Sequence, residues 1–167
     1  MKFSVGVEYA IHCLLYMVKT KEGQSIGIRD LATFQGISET YLSKVYAKLS
    51  KAGIIKSTPG VKGGYELARS AEEITFWDVV EAVEGKEHFF QCAEIRQNGI
   101  LIGEDSIQEN HKNCPCLINV VMLEAESAMK NYLNTKTLAW LHNEVYNEIF
   151  TKEMKQKTIK WFEDRTK

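Results

Sequence analysis

The chain has 167 residues, 44% hydrophobic and 26% charged, with a formal net charge of −1; that length suffices for one or two modest cores, and no apolar run approaches the roughly 20 residues of a membrane span. No basic, apolar and small-residue leader pattern stands at the N-terminus, so a cytoplasmic protein without a membrane partner is expected. The near-neutral total hides a division: residues 1–70 carry ten Lys/Arg against five Asp/Glu, residues 71–150 carry five against fourteen, and residues 151–167 carry six against three, which sets a basic region suited to a polyanion apart from an acidic one.

Residues 3–20 have a helical period, with Phe3, Val7, Ala10, Leu14 and Met17 on one stripe and Gly23 as the stop. Ser25–Gly27 suits a short strand. Residues 28–35 predict a two-turn helix with Ile28, Leu31 and Ala32 inward, and Gly36 supplies a tight turn. Ser38 is a natural N-cap for the next helix. In that helix Leu42, Val45 and Leu49 are expected inward, while Ser38, Glu39, Thr40, Tyr41, Ser43 and Lys44 occupy the turns that meet base edges in a helix-turn-helix. Lys48 and Lys51 extend its basic side, and Ala52-Gly53 ends it. Two short strands, residues 54–58 and 65–67, flank Pro59-Gly60-Val61-Lys62-Gly63-Gly64. This order is the second half of a winged helix-turn-helix: a helix for the major groove and a hairpin for the backbone. Lys56 and Lys62 are candidate phosphate contacts, and Gly63 and Gly64 would let backbone N–H groups approach a phosphate closely.

Thr75 to Asp78 reads as a capping box opening a helix to Glu84, with Gly85 as its stop. Residues 86–113 show no period, and an irregular stretch of that length inside a compact domain is usually functional or disordered. Pro115 suits the first residue of a long helix to about Leu133, whose apolar stripe is wide enough for a core on one side and a partner on the other. A last helix from Leu138 to Ile149 is expected to continue through Met154, Trp161 and Phe162, because no Gly or Pro interrupts it. The fold class is mainly α with a small β wing. The expected domains are a DNA-binding unit at 1–85, a cysteine-containing sensing loop at 86–113, and a dimerisation helix with a C-terminal helical extension at 114–167.

The run Ser38-Glu39-Thr40-Tyr41-Leu42-Ser43-Lys44, the phrase Lys51-Ala52-Gly53-Ile54-Ile55, the wing from Gly60 to Ala68 and the segment Glu73 to Gly85 resemble the Rrf-two family, the bacterial IscR/NsrR type of winged-helix repressor. The resemblance covers roughly residues 1–140. It implies a homodimer on a palindromic stretch of double-stranded DNA, joined through the long helix after the cysteine loop. Several family members carry an Arg before the first wing Gly; this chain has Pro59 there, which takes away a side chain able to enter the minor groove.

Cys13, Cys92, Cys114 and Cys116 are the four cysteines. Clustered cysteines in a cytosolic chain point to metal or redox chemistry rather than to a structural disulfide. The resemblance implies that Cys92, Cys114 and Cys116 hold an iron–sulfur cluster, [2Fe–2S] or [4Fe–4S], although their spacing is wider than the family's. Glu8 and His12, one turn apart on the first helix, are the candidate non-cysteine ligands, and His111 is a further one. Zinc binding, thiol–disulfide switching and inert thiols stay open as alternatives. Cys13 sits among apolar residues and reads as a small buried hydrophobe. The function expected is a DNA-binding transcriptional regulator that senses redox, iron or nitric-oxide state. The alternative is a cluster-free regulator answering a small molecule, or a partner protein docked on the C-terminal helices, where Trp161 and Phe162 stand on a basic tail. No nucleophile–base pair or phosphate loop suggests an enzyme.

Overall fold

The computed structural model describes residues 2–18, 24–59, 63–100 and 114–165. Helix α1 (Val5–Leu15) buries Val7, Ala10, Cys13, Leu14 and Leu15. It ends earlier than its periodicity suggests. The Tyr16 and Met17 N–H groups bond the carbonyls of Cys13 and Leu14, three residues back, which tightens the last turn and closes the helix. Helix α2 (Ile28–Gln35) ends at Gly36, whose φ of 66° is left-handed and suits a residue without a Cβ. Helix α3 (Glu39–Lys51) follows after one turn.

Strands β1 (Ile55–Thr58) and β2 (Gly64–Leu67) pair antiparallel, Ile55 opposite Leu67 and Thr58 opposite Gly64. The expected short strand at 25–27 is a single bridge. Ile26 and Tyr65 exchange two backbone hydrogen bonds of 2.9 Å, which ties the hairpin to the segment leading into α2. The close approach explains Gly64, because a Cβ there would stand 2.6 Å from the Ile26 carbonyl oxygen.

Helix α4 (Phe76–Glu84) opens with the expected capping box. The Asp78 N–H donates to Thr75 Oγ1 at 3.1 Å, and the Thr75 N–H donates to Asp78 Oδ2 at 2.8 Å. Its buried face is Trp77, Val79, Val80 and Val83. The long helix α5 (Leu117–Asn134) starts two residues after Pro115, and Cys116 rather than Pro115 marks its start, its carbonyl accepting from the Val120 N–H.

The last helix does not run on. Helix α6 (Leu138–Glu144) passes into one π turn over Val145–Ile149, Phe150 is extended, and helix α7 (Lys152–Glu163) begins afresh. The interruption comes from Thr151, whose Oγ1 accepts from the Met154 N–H at 3.2 Å; a threonine can stop and restart a helix without Gly or Pro.

Residues 2–86 and 133–167 form one compact unit, and 87–132 form another. The segment after α5 therefore belongs with the winged helix. Its backbone joins the start of α4 through Phe76 N–H to the Lys136 carbonyl and Leu138 N–H to the Ile74 carbonyl. Leu14, Leu31, Leu42, Leu49, Ile54, Ile74 and Leu138 are wholly buried in this unit, each contributing about 1.5–3 kcal/mol of transfer free energy.

Candidate nucleic-acid interface and cysteine site

Helix α3 is oriented by its own amphipathicity. Leu42, Val45, Tyr46 and Leu49 are buried, which turns Glu39, Thr40, Ser43 and Lys44 to solvent on the first turns. Ser38 Oγ accepts from the Tyr41 N–H at 3.3 Å and fixes where the helix begins. Tyr46, beyond the expected inward set, is wholly buried; its hydroxyl reaches Met17 Sδ at 3.4 Å and its ring meets Tyr65 edge-on at 5.1 Å. One residue thus pins α3 to the end of α1 and to the wing. Tyr41 stays partly exposed and packs edge-on against Tyr9 at 5.7 Å.

The other expected DNA-facing residues divide. Ser43 is exposed and its hydroxyl donates back to the Glu39 carbonyl at 2.9 Å. Lys48 donates its ammonium to the Val83 carbonyl at 2.6 Å, so it ties the end of α4 to α3, where a cation meets the negative end of the α4 dipole. Lys56 faces Glu66 across the hairpin at 3.3 Å. Gly63 and Gly64 are half-buried, and Gly64 serves the close approach to Ile26. Lys62 lies outside the described residues, as does His111.

In the second unit Cys92, Glu94 and Cys116 converge, with their Sγ and carboxylate oxygens all within 4.8 Å of one another. Cys116 stands at the start of α5. The N–H of Asn119, and with it that of Ile118, lowers its thiol pKa below the ordinary value, assisted by a hydrogen bond from Cys92. The Glu94 N–H favours the Cys92 thiolate, but partial desolvation and the neighbouring Cys116 and Glu94 charges outweigh it, so the Cys92 thiol is raised. Of the two thiols, Cys116 is the one whose ionisation its surroundings favour.

Glu94 is a member of this group that the sequence reading does not single out. Among the described residues it is the one non-glycine with positive φ, at 50°, a conformation that costs roughly 1 kcal/mol. Arg96 holds it there. Arg96 Nε donates to Glu94 Oε2 at 2.7 Å, which depresses the carboxyl pKa, and Arg96 Nη2 donates to the Cys114 carbonyl at 2.8 Å. The only signal in the chain is the alternation Cys92, Glu94, Arg96. Cys114 is exposed and its sulfur is outside the convergent group. Glu8 and His12 lie in the first unit, exposed on α1. Two soft thiol sulfurs with a hard carboxylate fit an iron–sulfur or zinc-class ion and do not fit calcium or magnesium.

Cys13 is buried, and desolvation pushes its pKa up to about 12, in keeping with a packing role. Among the described residues no helix is long and apolar enough to cross a membrane.

The pattern of the Rrf2 family, described as iron-dependent transcriptional regulators, matches residues 3–144. Protein rrf2 of Nitratidesulfovibrio vulgaris is 38% identical over 143 residues, covering 83% of this chain and 85% of that protein. The structure of CymR, the global cysteine regulator of B. subtilis, superposes with a TM-score of 0.65 at 22% identity, over 86% of this chain and 97% of the other. T. potens IscR superposes with a TM-score of 0.64, also at 22% identity, over 93% and 96%.

Proposed function

Because this chain belongs to the Rrf2 family of transcriptional regulators, we propose that two copies bind a palindromic DNA site and that a group held by the loop cysteines sets their affinity for it. The observation that carries the sensing reading is the convergence of Cys92, Glu94 and Cys116.

Helix α3 enters the major groove. Thr40, Ser43 and Lys44, exposed on its first turns, meet base edges and phosphates, with Glu39 and Tyr41 at the margin. Lys56 and Lys62 meet the backbone. Helix α5 is the dimerisation helix: it has no buried residue, and Leu117, Ile118 and Val121 are 75%, 68% and 61% exposed. An apolar stripe this exposed on one helix calls for a partner of the same kind.

The resident group of this reading is an iron–sulfur cluster, which would supply a redox- and ligand-sensitive centre. Cys92 and Cys116 would hold it, with Glu94 as the carboxylate beside them. Cys114, Glu8 and His12 are the proposed further ligands. Arg96 keeps Glu94 in place and offsets the negative charge of the ionised thiols. Binding there would act on the start of α5 through Cys116 and shift the population between DNA-competent and DNA-incompetent dimers.

The test is to purify the protein without oxygen, measure its visible spectrum with iron and acid-labile sulfide, and compare the affinity of loaded and stripped protein for one duplex selected from a random pool. Iron and sulfide at stoichiometric level, with a tenfold or larger difference in affinity, is the expected result. Equal affinity removes the sensing claim.

A second reading has its own observation. A cleft of about 600 Å³ is lined by Lys48, Lys51, Arg69, Asp78, Glu84 and Lys86. It abuts the end of α3, so a small charged effector there would reposition the recognition helix without any cluster. Colourless, iron-free protein whose DNA affinity responds to such a molecule would favour this reading.

A further inference from the structure

Helix α7 lies beyond the 3–144 region matched by the family pattern. It is nevertheless fastened to the helix-turn-helix. Phe34 of α2 meets Trp161 and Phe162, each with ring centroids 4.9 Å apart, and Tyr16 meets Phe162 at 5.5 Å. Phe162 and Thr158 are buried. Arg165 lies over the Trp161 ring at 3.8 Å, donates to the Trp161 carbonyl at 3.1 Å and stands 4.0 Å from Asp30 in the first turn of α2. Pairings that climb α7 while descending α2 mean that the two run in opposite senses. The end of α7 is beside the start of α2. Of the aromatic pair that reads in the sequence as a docking surface for another protein, Phe162 is thus buried inside this one and Trp161 is half-buried against α2.

Between Lys152 and Arg165 the chain carries five basic residues and three acidic ones. Their placement on the helix matters more than the count. Phe34 meets both rings while Tyr16 meets Phe162, so the Trp161 flank is the one turned toward α2. Lys157 stands one turn before Trp161 and Lys160 three residues after Lys157, so both continue that flank outward. Both are exposed, and Lys157 is held by Glu153 at 2.6 Å. Lys152 and Lys155 fall on the opposite flank with Ile159. In a helix-turn-helix the first helix of the pair, here α2, crosses the phosphate backbone.

We propose that α7 is a second DNA-contacting element, in which Lys157 and Lys160 meet backbone phosphates flanking the stretch read by α3. The proposal rests on the DNA-binding reading above. It gives the C-terminal extension a function, a longer footprint with more affinity and no added sequence preference, because lysine–phosphate pairs position a protein without specifying bases.

The full-length protein is titrated with a duplex that it selects from a random pool, over a series of salt concentrations. K157Q/K160Q is expected to lower the slope of log K against log salt by about 0.9 for each phosphate no longer neutralised, with an unchanged melting temperature and unchanged base preference. K152Q/K155Q removes the same charge from the other flank and is expected to leave the slope near the parent value. Equal slopes for the parent and K157Q/K160Q, or equal reductions in the two double variants, would overturn the proposal while leaving the DNA-binding reading intact. Parent protein without salt-sensitive duplex affinity would overturn both.

Discussion

Cys116 and Cys92 show how two identical side chains acquire different chemistry from their backbone surroundings. Each accepts a backbone N–H, but Cys116 gains a second one at the helix start and a hydrogen bond from Cys92, while desolvation and the neighbouring Cys116 and Glu94 raise Cys92. Metal-free protein treated with iodoacetamide at rising pH should therefore alkylate Cys116 before Cys92, with Cys13 unmodified until the chain unfolds; peptide mass spectrometry reads the order, and Cys92 reacting first would contradict it. Cys13 has a measurable counterpart in stability. Its pKa rises from 9.0 to about 12 on burial, so its contribution is complete below pH 9 and is lost as pH climbs toward 12, because the unfolded chain releases a proton that the folded chain retains. The parent should lose up to about 1.4 kcal/mol per pH unit in that window relative to Cys13→Ala, as read by urea unfolding at matched pH. Gly64→Ala should cost about 1–3 kcal/mol, since its Cβ would meet the Ile26 carbonyl, and circular dichroism on heating checks this. The cysteines are legible in the sequence because thiols are rare and clustered. Glu94 is not, because its role comes from a left-handed backbone and an Arg96 hydrogen bond that no spacing rule announces.

At the scale of elements, helix starts are the most readable feature. Ser38 and Thr75 each cap the helix that their side chains signal, and Thr75→Ala should lower stability by about 1 kcal/mol, measured by denaturant titration. The wing is readable from its glycines and the recognition helix from its period. The break after α6 escapes the sequence for a physical reason: Thr151 turns the chain by capping, and a search for Gly and Pro passes over it. The partner of α7 is hidden too, since Phe34, Tyr16 and Phe162 are far apart in the chain and only folding brings them together. Phe162→Ala should destabilise the first unit by about 3–5 kcal/mol and increase protease cleavage within α7. Reduced stability without new cleavage there would mean that other residues hold α7 in place.

For the whole molecule the charge division becomes intelligible. The basic stretches 1–70 and 151–167 fall in one compact unit, and much of the acidic stretch falls in the other. Folding thus joins two basic segments that residues 71–150 separate in the chain, the arrangement a polyanion-binding surface needs. Replacing Ile118 and Val121 on α5 by Glu should give a monomer by sedimentation and weaken DNA binding strongly, since a monomer reaches one half-site. The central claim is that the outward side chains at the start of α3 read duplex DNA. Its most direct test is base preference: selection from a random duplex pool by the parent and by a Thr40→Ala, Ser43→Ala, Lys44→Ala triple variant. A palindromic preference in the parent that collapses in the folded triple variant is the predicted result. The same preference in both proteins, or none in the parent, would contradict the account.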